Sequence, residues 1–133
     1  MKVFKSPDRD YALDPAKNKI FLAGSIEMGK ASNWQKKLQK DLADFNVVLL
    51  NPRRDDWNSD WAQEESNAPF KDQVLWELEA LDAANMIVFF FEPGTVSPVT
   101  LMEFGLHAGR SKHIKTNMVL CCPEGYFRKG NLD

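Results

Sequence analysis

The side chains that could do chemistry gather in three short segments, each following an apolar run. Gly24-Ser25-Ile26-Glu27 follows the first run, Asn51 to Trp57 the second, and Gly94 to Glu103 the third. Together they hold carboxylates, the adjacent Arg53 and Arg54, serines and a tryptophan. Carboxylates can serve as nucleophiles or as general acids and bases, arginines can grip anions, and an indole can cover the flat face of a base. No histidine looks catalytic: His107 and His113 stand apart, without the spaced ligands a metal site needs. We expect no required metal and no cofactor. Neither GxxxxGK[ST] nor GxGxxG occurs, and Gly24 to Gly29 matches both too loosely to count as a phosphate cradle. The common ATPase and dinucleotide chemistries are thereby disfavoured.

These segments need a scaffold, and the hydrophobic pattern supplies one. Ile20–Ala23, Val47–Leu50, Met86–Phe91 and Met118–Cys122 are apolar runs of strand length with no polar alternation. From Asn33 onward Trp34, Leu38, Leu42 and Phe45 recur at helical spacing. Lys71 to Ala84 predicts a helix whose apolar stripe is Val74, Leu75, Leu78 and Leu81, with Glu77 and Asp82 at its flanks. Ser97-Pro98 reads as an N-cap followed by proline at the first helical position, opening a helix to about Gly109. Residues 1–18, polar and carrying Pro7 and Pro15, read as an extended lead-in.

This order predicts an α/β fold, a doubly wound (flavodoxin/Rossmann-like) parallel sheet of four to five strands with helices on both faces, as a single domain over residues 1–133. Such sheets hold ligands beyond the C-terminal ends of their strands, where the strand order switches. The three segments would fall there. The long stretch from Asn51 to Pro69 fits a binding loop better than a spacer.

Composition narrows the function classes. An apolar fraction of 44% with nine Phe and four Trp supports a packed globule, and a net charge of -2 without a basic run disfavours nucleic acid polymer as a partner. Cys121 and Cys122 are neighbours in an apolar run and read as reduced, buried strand residues. Neither a signal peptide nor an apolar stretch of membrane-spanning length is recognisable, so a cytoplasmic protein without a membrane partner is expected.

Ile20-Phe21-Leu22-Ala23-Gly24-Ser25, Asn51-Pro52-Arg53-Arg54, Trp76-Glu77-Leu78 and above all Gly94 through Gly105 resemble the nucleoside 2-deoxyribosyltransferase family, most closely its nucleoside 2-deoxyribosyltransferase-like branch. The resemblance runs from about Ile20 to Gly130, with each motif after the strand it should follow. It implies that Glu103 attacks the anomeric carbon of a 2-deoxyribosyl group, expels the base and carries a glycosyl-enzyme intermediate. A carboxylate suits that task, because it can add to an oxocarbenium-like centre and divide one hard displacement into two. A structural role stands beside this reading, since Glu103 also has the spacing to close a capping box with Thr100.

The resemblance places Glu77 where the family has an acidic residue facing the base, although a solvated helix flank is the plainer reading. It makes Phe21, Gly24, Ser25, Asn51, Arg53, Asp56, Trp57, Gly94 and Ser97 candidates for substrate binding. Two of these depart from the family pattern, because its active-site tyrosine falls on Phe21 and an aspartate six residues before the nucleophile falls on Ser97. Trp57, Trp61 and Trp76 would border the crevice as stacking partners or else pack in the core.

Hydrolases of deoxynucleoside 5'-monophosphates, a related group, share the serine at Ser97 and a Gly-Ser-Ile-Arg turn, but here Glu27 stands where the arginine would be. A carboxylate there repels phosphate, so nucleosides are expected over their 5'-monophosphates. Arg53 and Arg54 could compensate, or pair with Asp55 or Asp56. A non-catalytic nucleotide-binding module that kept the fold is the reading from another class. The expected partners are a small nucleoside or nucleotide, a free base, and further copies of the chain. The resemblance implies a homo-oligomer with shared sites, and the last part of the family's site, beyond the loop at Gly125–Asn131, is expected to be either absent or supplied by a neighbouring subunit.

Overall fold

Apolar runs without polar alternation call for cover on both faces, and the computed structural model, which describes residues 1–16, 18–110 and 116–133, covers those of the central strands so, whereas the last run, at the sheet edge, leaves Val119 and Cys121 exposed. Strands β1 (Lys2–Lys5), β2 (Lys19–Gly24), β3 (Val48–Asn51), β4 (Met86–Phe90) and β5 (Asn117–Cys121) form one sheet in the order β1-β3-β2-β4-β5. Every neighbouring pair is parallel. The helices are α1 (Trp34–Asp41), α2 (Ala68–Ala83), α3 (Pro98–Arg110) and a short α4 (Lys129–Leu132).

Alternate strand residues serve the two faces. Ile20, Leu22 and Leu49 pack against Trp34, Leu38 and Leu42 of the α1 region. Phe21, Ala23, Leu50, Ile87 and Phe89 pack on the opposite face with Trp76, Ala80 and Leu81 of α2 and Leu101 and Phe104 of α3. Trp76, Phe21, Phe89 and Phe91 are fully buried, each such side chain contributing on the order of 2 to 3 kcal/mol. The fold is the doubly wound α/β sheet expected from the sequence. Among the described residues no helix is long and apolar enough to cross a membrane.

Three local expectations change. Lys2–Lys5 is an edge strand beside β3 instead of part of an extended lead-in, a placement that suits its flanking lysines. The first helix ends at Asp41, short of Phe45, which lies exposed in the turn into β3. The buried face of α2 consists of Gln73, Trp76, Ala80 and Leu81, whereas Val74, Leu75 and Leu78 are exposed. The helix has two apolar arcs, and the sheet takes the one carrying the indole. His113 lies outside the described residues.

From β2 the chain crosses to β3 through α1 on one face, and from β4 to β5 through α3 on the other. Because β2 and β4 are adjacent, the strand order switches between them. The loops after these two strands therefore bound the crevice.

Candidate active site

The crevice begins with a close approach. A Cβ on Gly24 would stand 2.5 Å from the Phe90 carbonyl oxygen and 2.6 Å from Cζ2 of Trp34, so only glycine fits where β2 ends. Beyond it three hydroxyls converge: Ser25 Oγ lies 2.7 Å from Thr95 Oγ1 and 2.6 Å from Ser97 Oγ, and accepts from the Glu92 N–H at 3.0 Å. Gly94 makes the turn between them with φ +84°. Glu27 and Ser97 hold left-handed backbone at φ +48° and +49°, a conformation that costs a non-glycine residue on the order of 1 kcal/mol. What they gain is a contact, for Glu27 Oε1 accepts from the backbone N–H groups of Val96 at 3.0 Å and Ser97 at 2.7 Å. An internal carboxylate thus sits on donors at the start of α3, where the helix dipole favours negative charge.

The loop after β3 is braced to the loop after β2. Asn51 Oδ1 accepts from the Arg53 N–H at 2.9 Å, and the Arg53 guanidinium donates to the carbonyls of Ser32 at 2.7 Å and Ala31 at 3.1 Å. Arg54 donates twice to Asp56, at 2.8 and 2.7 Å, and lies 5.2 Å from the Trp61 ring centroid. Trp57 meets Trp61 edge to face at 5.2 Å, and its buried Nε1 has no partner among the described residues. Arg53 therefore acts as a strut and Arg54 as one half of an ion pair. Trp76 donates from Nε1 to the Asp8 carbonyl at 2.7 Å with no exposed surface, and the equally buried Phe21 packs on it with centroids 6.4 Å apart. Both belong to the core. Cys121, expected to be buried, is exposed at the end of β5, and both cysteines are free.

The two glutamates come from α2 and α3, which share one face of the sheet. α3 starts at Pro98, so Thr100 falls in its first turn and Glu103 in its second. A capping box needs the acid three residues after the cap, and Glu103 lies too far along to serve it. Glu77 Oε1 accepts from Gln73 Nε2 at 2.7 Å. Burial pushes the Glu77 carboxyl up to about 7, with the Gln73 hydrogen bond opposing the rise. Burial also pushes Glu103 up to about 8, and the facing charge of Glu77 adds to the effect. Near neutrality the charge of Glu77 therefore favours the protonated form of Glu103. One can stay an acid while the other is a naked nucleophile, a division of labour common in functional sites.

The structure brings Glu77 together with Glu103, and separately Gly24, Ser25, Gly94 and Ser97 at the switch point. Asn51, Arg53, Asp56 and Trp57 form a third group that touches the first through the Pro52 carbonyl, which accepts from Gln73 at 3.0 Å. Sequence reasoning missed Gln73 and Thr95. The i, i+4 spacing of Gln73 and Glu77 is a signal that could have found the first, and the hydroxyl of Thr95 between Gly94 and Ser97 could have suggested the second. A depression of about 250 Å³ opens between Glu27, Lys30, Ala31 and Glu92 to Thr95. Another of about 390 Å³, lined by Met1, Lys2, Asp14 and Val48, lies by the starts of β1 and β3, at the opposite end of the sheet from the switch point.

Among known families, the chain matches the one described as nucleoside 2-deoxyribosyltransferase like, over residues 17–126. No individually curated protein matches the chain. The matched span contains the seven strands and helices from β2 to β5, but not β1, together with Gln73, Glu77 and Glu103, and the chain belongs to the nucleoside 2-deoxyribosyltransferase-like family.

Proposed function

We propose that the protein cleaves the N-glycosidic bond of nucleosides and passes the 2-deoxyribosyl group to another base through an ester on Glu103. The observation that carries this reading is the facing pair Glu77 and Glu103, both partly buried and both with proton affinity raised into the neutral range. Family membership supplies the nucleoside class of substrate.

In the first half-reaction a carboxylate oxygen of Glu103 bonds to the anomeric carbon as the C–N bond breaks. The bonding electrons leave with the base nitrogen, which takes the proton held by Glu77. In the second, an acceptor base returns a proton to Glu77 and attacks the same carbon, releasing Glu103. Positive charge that develops on the sugar as the C–N bond stretches favours the ionised form of Glu103, which faces it, while Glu77 keeps the proton that the leaving base takes. Water in place of the acceptor gives hydrolysis by the same route. Glu27 supports a preference for nucleosides, because its carboxylate already sits on the backbone donors of Val96 and Ser97 that a 5'-phosphate would seek.

The test is base release from a nucleoside panel, with and without an acceptor base and with the matching 5'-monophosphates. A 2-fluoro-2-deoxy nucleoside, which slows breakdown of the ester, should add one sugar to the wild type and none to Glu103→Gln by intact mass. An adduct mapped to another residue would refute the assignment. Absence of base release from every nucleoside would favour a binding module.

A further inference from the structure

We propose that Gln73 is a positioning residue for Glu77: by donating to Oε1 it reserves Oε2 as the oxygen that carries and delivers the proton. The role rests on the glycosyl-transfer reading for its chemistry, but the geometry stands by itself. Gln73 lies one turn before Glu77 on α2 and is only 5% exposed. Its Nε2 donates to the Pro52 carbonyl at 3.0 Å and to Glu77 Oε1 at 2.7 Å. Its own Oε1 is buried with no partner among the described residues.

That arrangement fixes the amide. Turning it over would set its oxygen against a carbonyl and a carboxyl oxygen, which are both acceptors. This orientation makes two hydrogen bonds and leaves only the amide oxygen unpaired, so it is the one the surroundings hold. With Oε1 engaged as an acceptor, a proton on Glu77 occupies Oε2. When that proton passes to the leaving base, Glu77 becomes an anion and the Gln73 hydrogen bond becomes charge-assisted, hence shorter and stronger. Gln73 therefore favours the state after proton delivery over the state before it, which lowers the barrier and leaves substrate binding alone. Its second hydrogen holds Pro52, so the loop after β3 is kept in register with the acid. The titratable group facing Glu77 from the neighbouring helix is Glu103, and no cation pairs with Glu77 among the described residues.

In the wild type, the Nε2 proton and nitrogen signals of Gln73 should shift with the same pH midpoint as the 13C signal of the Glu77 carboxyl. Gln73→Met keeps length and volume but removes both donors. It should move the Glu77 midpoint upward by about half a pH unit or more, because the bond it deletes favours the ionised form. In the nucleoside assay, kcat should fall about tenfold with KM within about twofold, and the alkaline limb of the kcat profile should move up with the midpoint. Gln73→Leu is the second variant, and thermal unfolding checks that each is folded. A Gln73 signal insensitive to Glu77 ionisation, a Glu77 midpoint unmoved in a folded variant, or a raised KM with unchanged kcat would overturn the proposal. If the wild type released no base from any nucleoside, the transfer reading would fall, and the two NMR midpoints alone would decide whether Gln73 governs the proton of Glu77.

Discussion

Replacing Glu103 by Gln should stabilise the protein at alkaline pH while abolishing its chemistry, and the two effects have one cause. An unfolded glutamate ionises near its ordinary value of 4.5, whereas Glu103 in the folded chain keeps its proton up to about 8. Between those values the folded state binds more protons than the unfolded state, so stability falls as pH rises through the window. At 1.36 kcal/mol per pH unit the penalty above pH 8 has a ceiling of about 5 kcal/mol, and the partial exposure of Glu103 reduces it to about 2 to 3 kcal/mol.

Gln has the same size and no proton to lose, so Glu103→Gln should match the wild type near pH 4 and unfold roughly 10 °C higher near pH 9. Thermal unfolding followed by circular dichroism across that range measures the difference directly, and base release from a deoxynucleoside, measured beside it, should drop by several orders of magnitude. A pH-independent difference in unfolding temperature, or a variant less stable at pH 9, would show that Glu103 is not a buried acid. A stable variant with full turnover would refute the nucleophile.

Glu27→Ala should raise the ratio of 5'-monophosphate to nucleoside turnover by freeing the N–H groups of Val96 and Ser97, at a cost of about 1 kcal/mol for the lost cap, and parallel kinetics on both substrates would check it. Gly24→Ala should destabilise by about 2 to 3 kcal/mol in urea, since its methyl would collide with a carbonyl oxygen and the Trp34 ring. At micromolar concentration, light scattering should give at least twice the 15.2 kDa chain mass, and Leu78→Glu with Met102→Glu should reduce it to one chain. The exposed Val74, Leu75 and Leu78 of α2 and Val99, Met102 and Leu106 of α3 are the apolar surface that association would cover.

The strands were legible because a parallel strand buried on both faces leaves little choice of residue, as Ile20 to Ala23 and Val48 to Leu50 show. The edge strand was not, since β1 has one neighbour, two lysines and a partly exposed backbone that read like any polar terminus. The orientation of α2 was hidden for a different reason. Periodicity locates an apolar arc, but Val74, Leu75 and Leu78 form an arc as convincing as Trp76, Ala80 and Leu81, and only packing on Phe21 chooses between them. The choice matters because it turns Glu77 inward. With the other arc buried, Gln73 would lose its bond to Pro52, and Glu77 would be the solvated flank that its sequence context suggests.

Long-range contacts then complete what no local pattern encodes. Glu27 reaches across from the loop after β2 to hold the backbone at the start of α3, and Arg53 ties the loop after β3 to the same β2 loop. The entry to α3 is thereby referred to both loops, while Gln73 refers α2 to the Pro52 carbonyl of one of them. Glu103 sits on the second turn of α3 and Glu77 one turn beyond Gln73, so the separation of the two carboxyls depends on struts whose partners are 21 to 70 residues apart in the chain. Strain at Glu27 and Ser97 fits that role. A relaxed turn would do for folding, but it would leave α3 free to shift against α2. On the proposed mechanism one carboxyl stays protonated while the other attacks, and the electrostatic effect of Glu77 on Glu103 that this requires depends on their spacing and would weaken with such a shift.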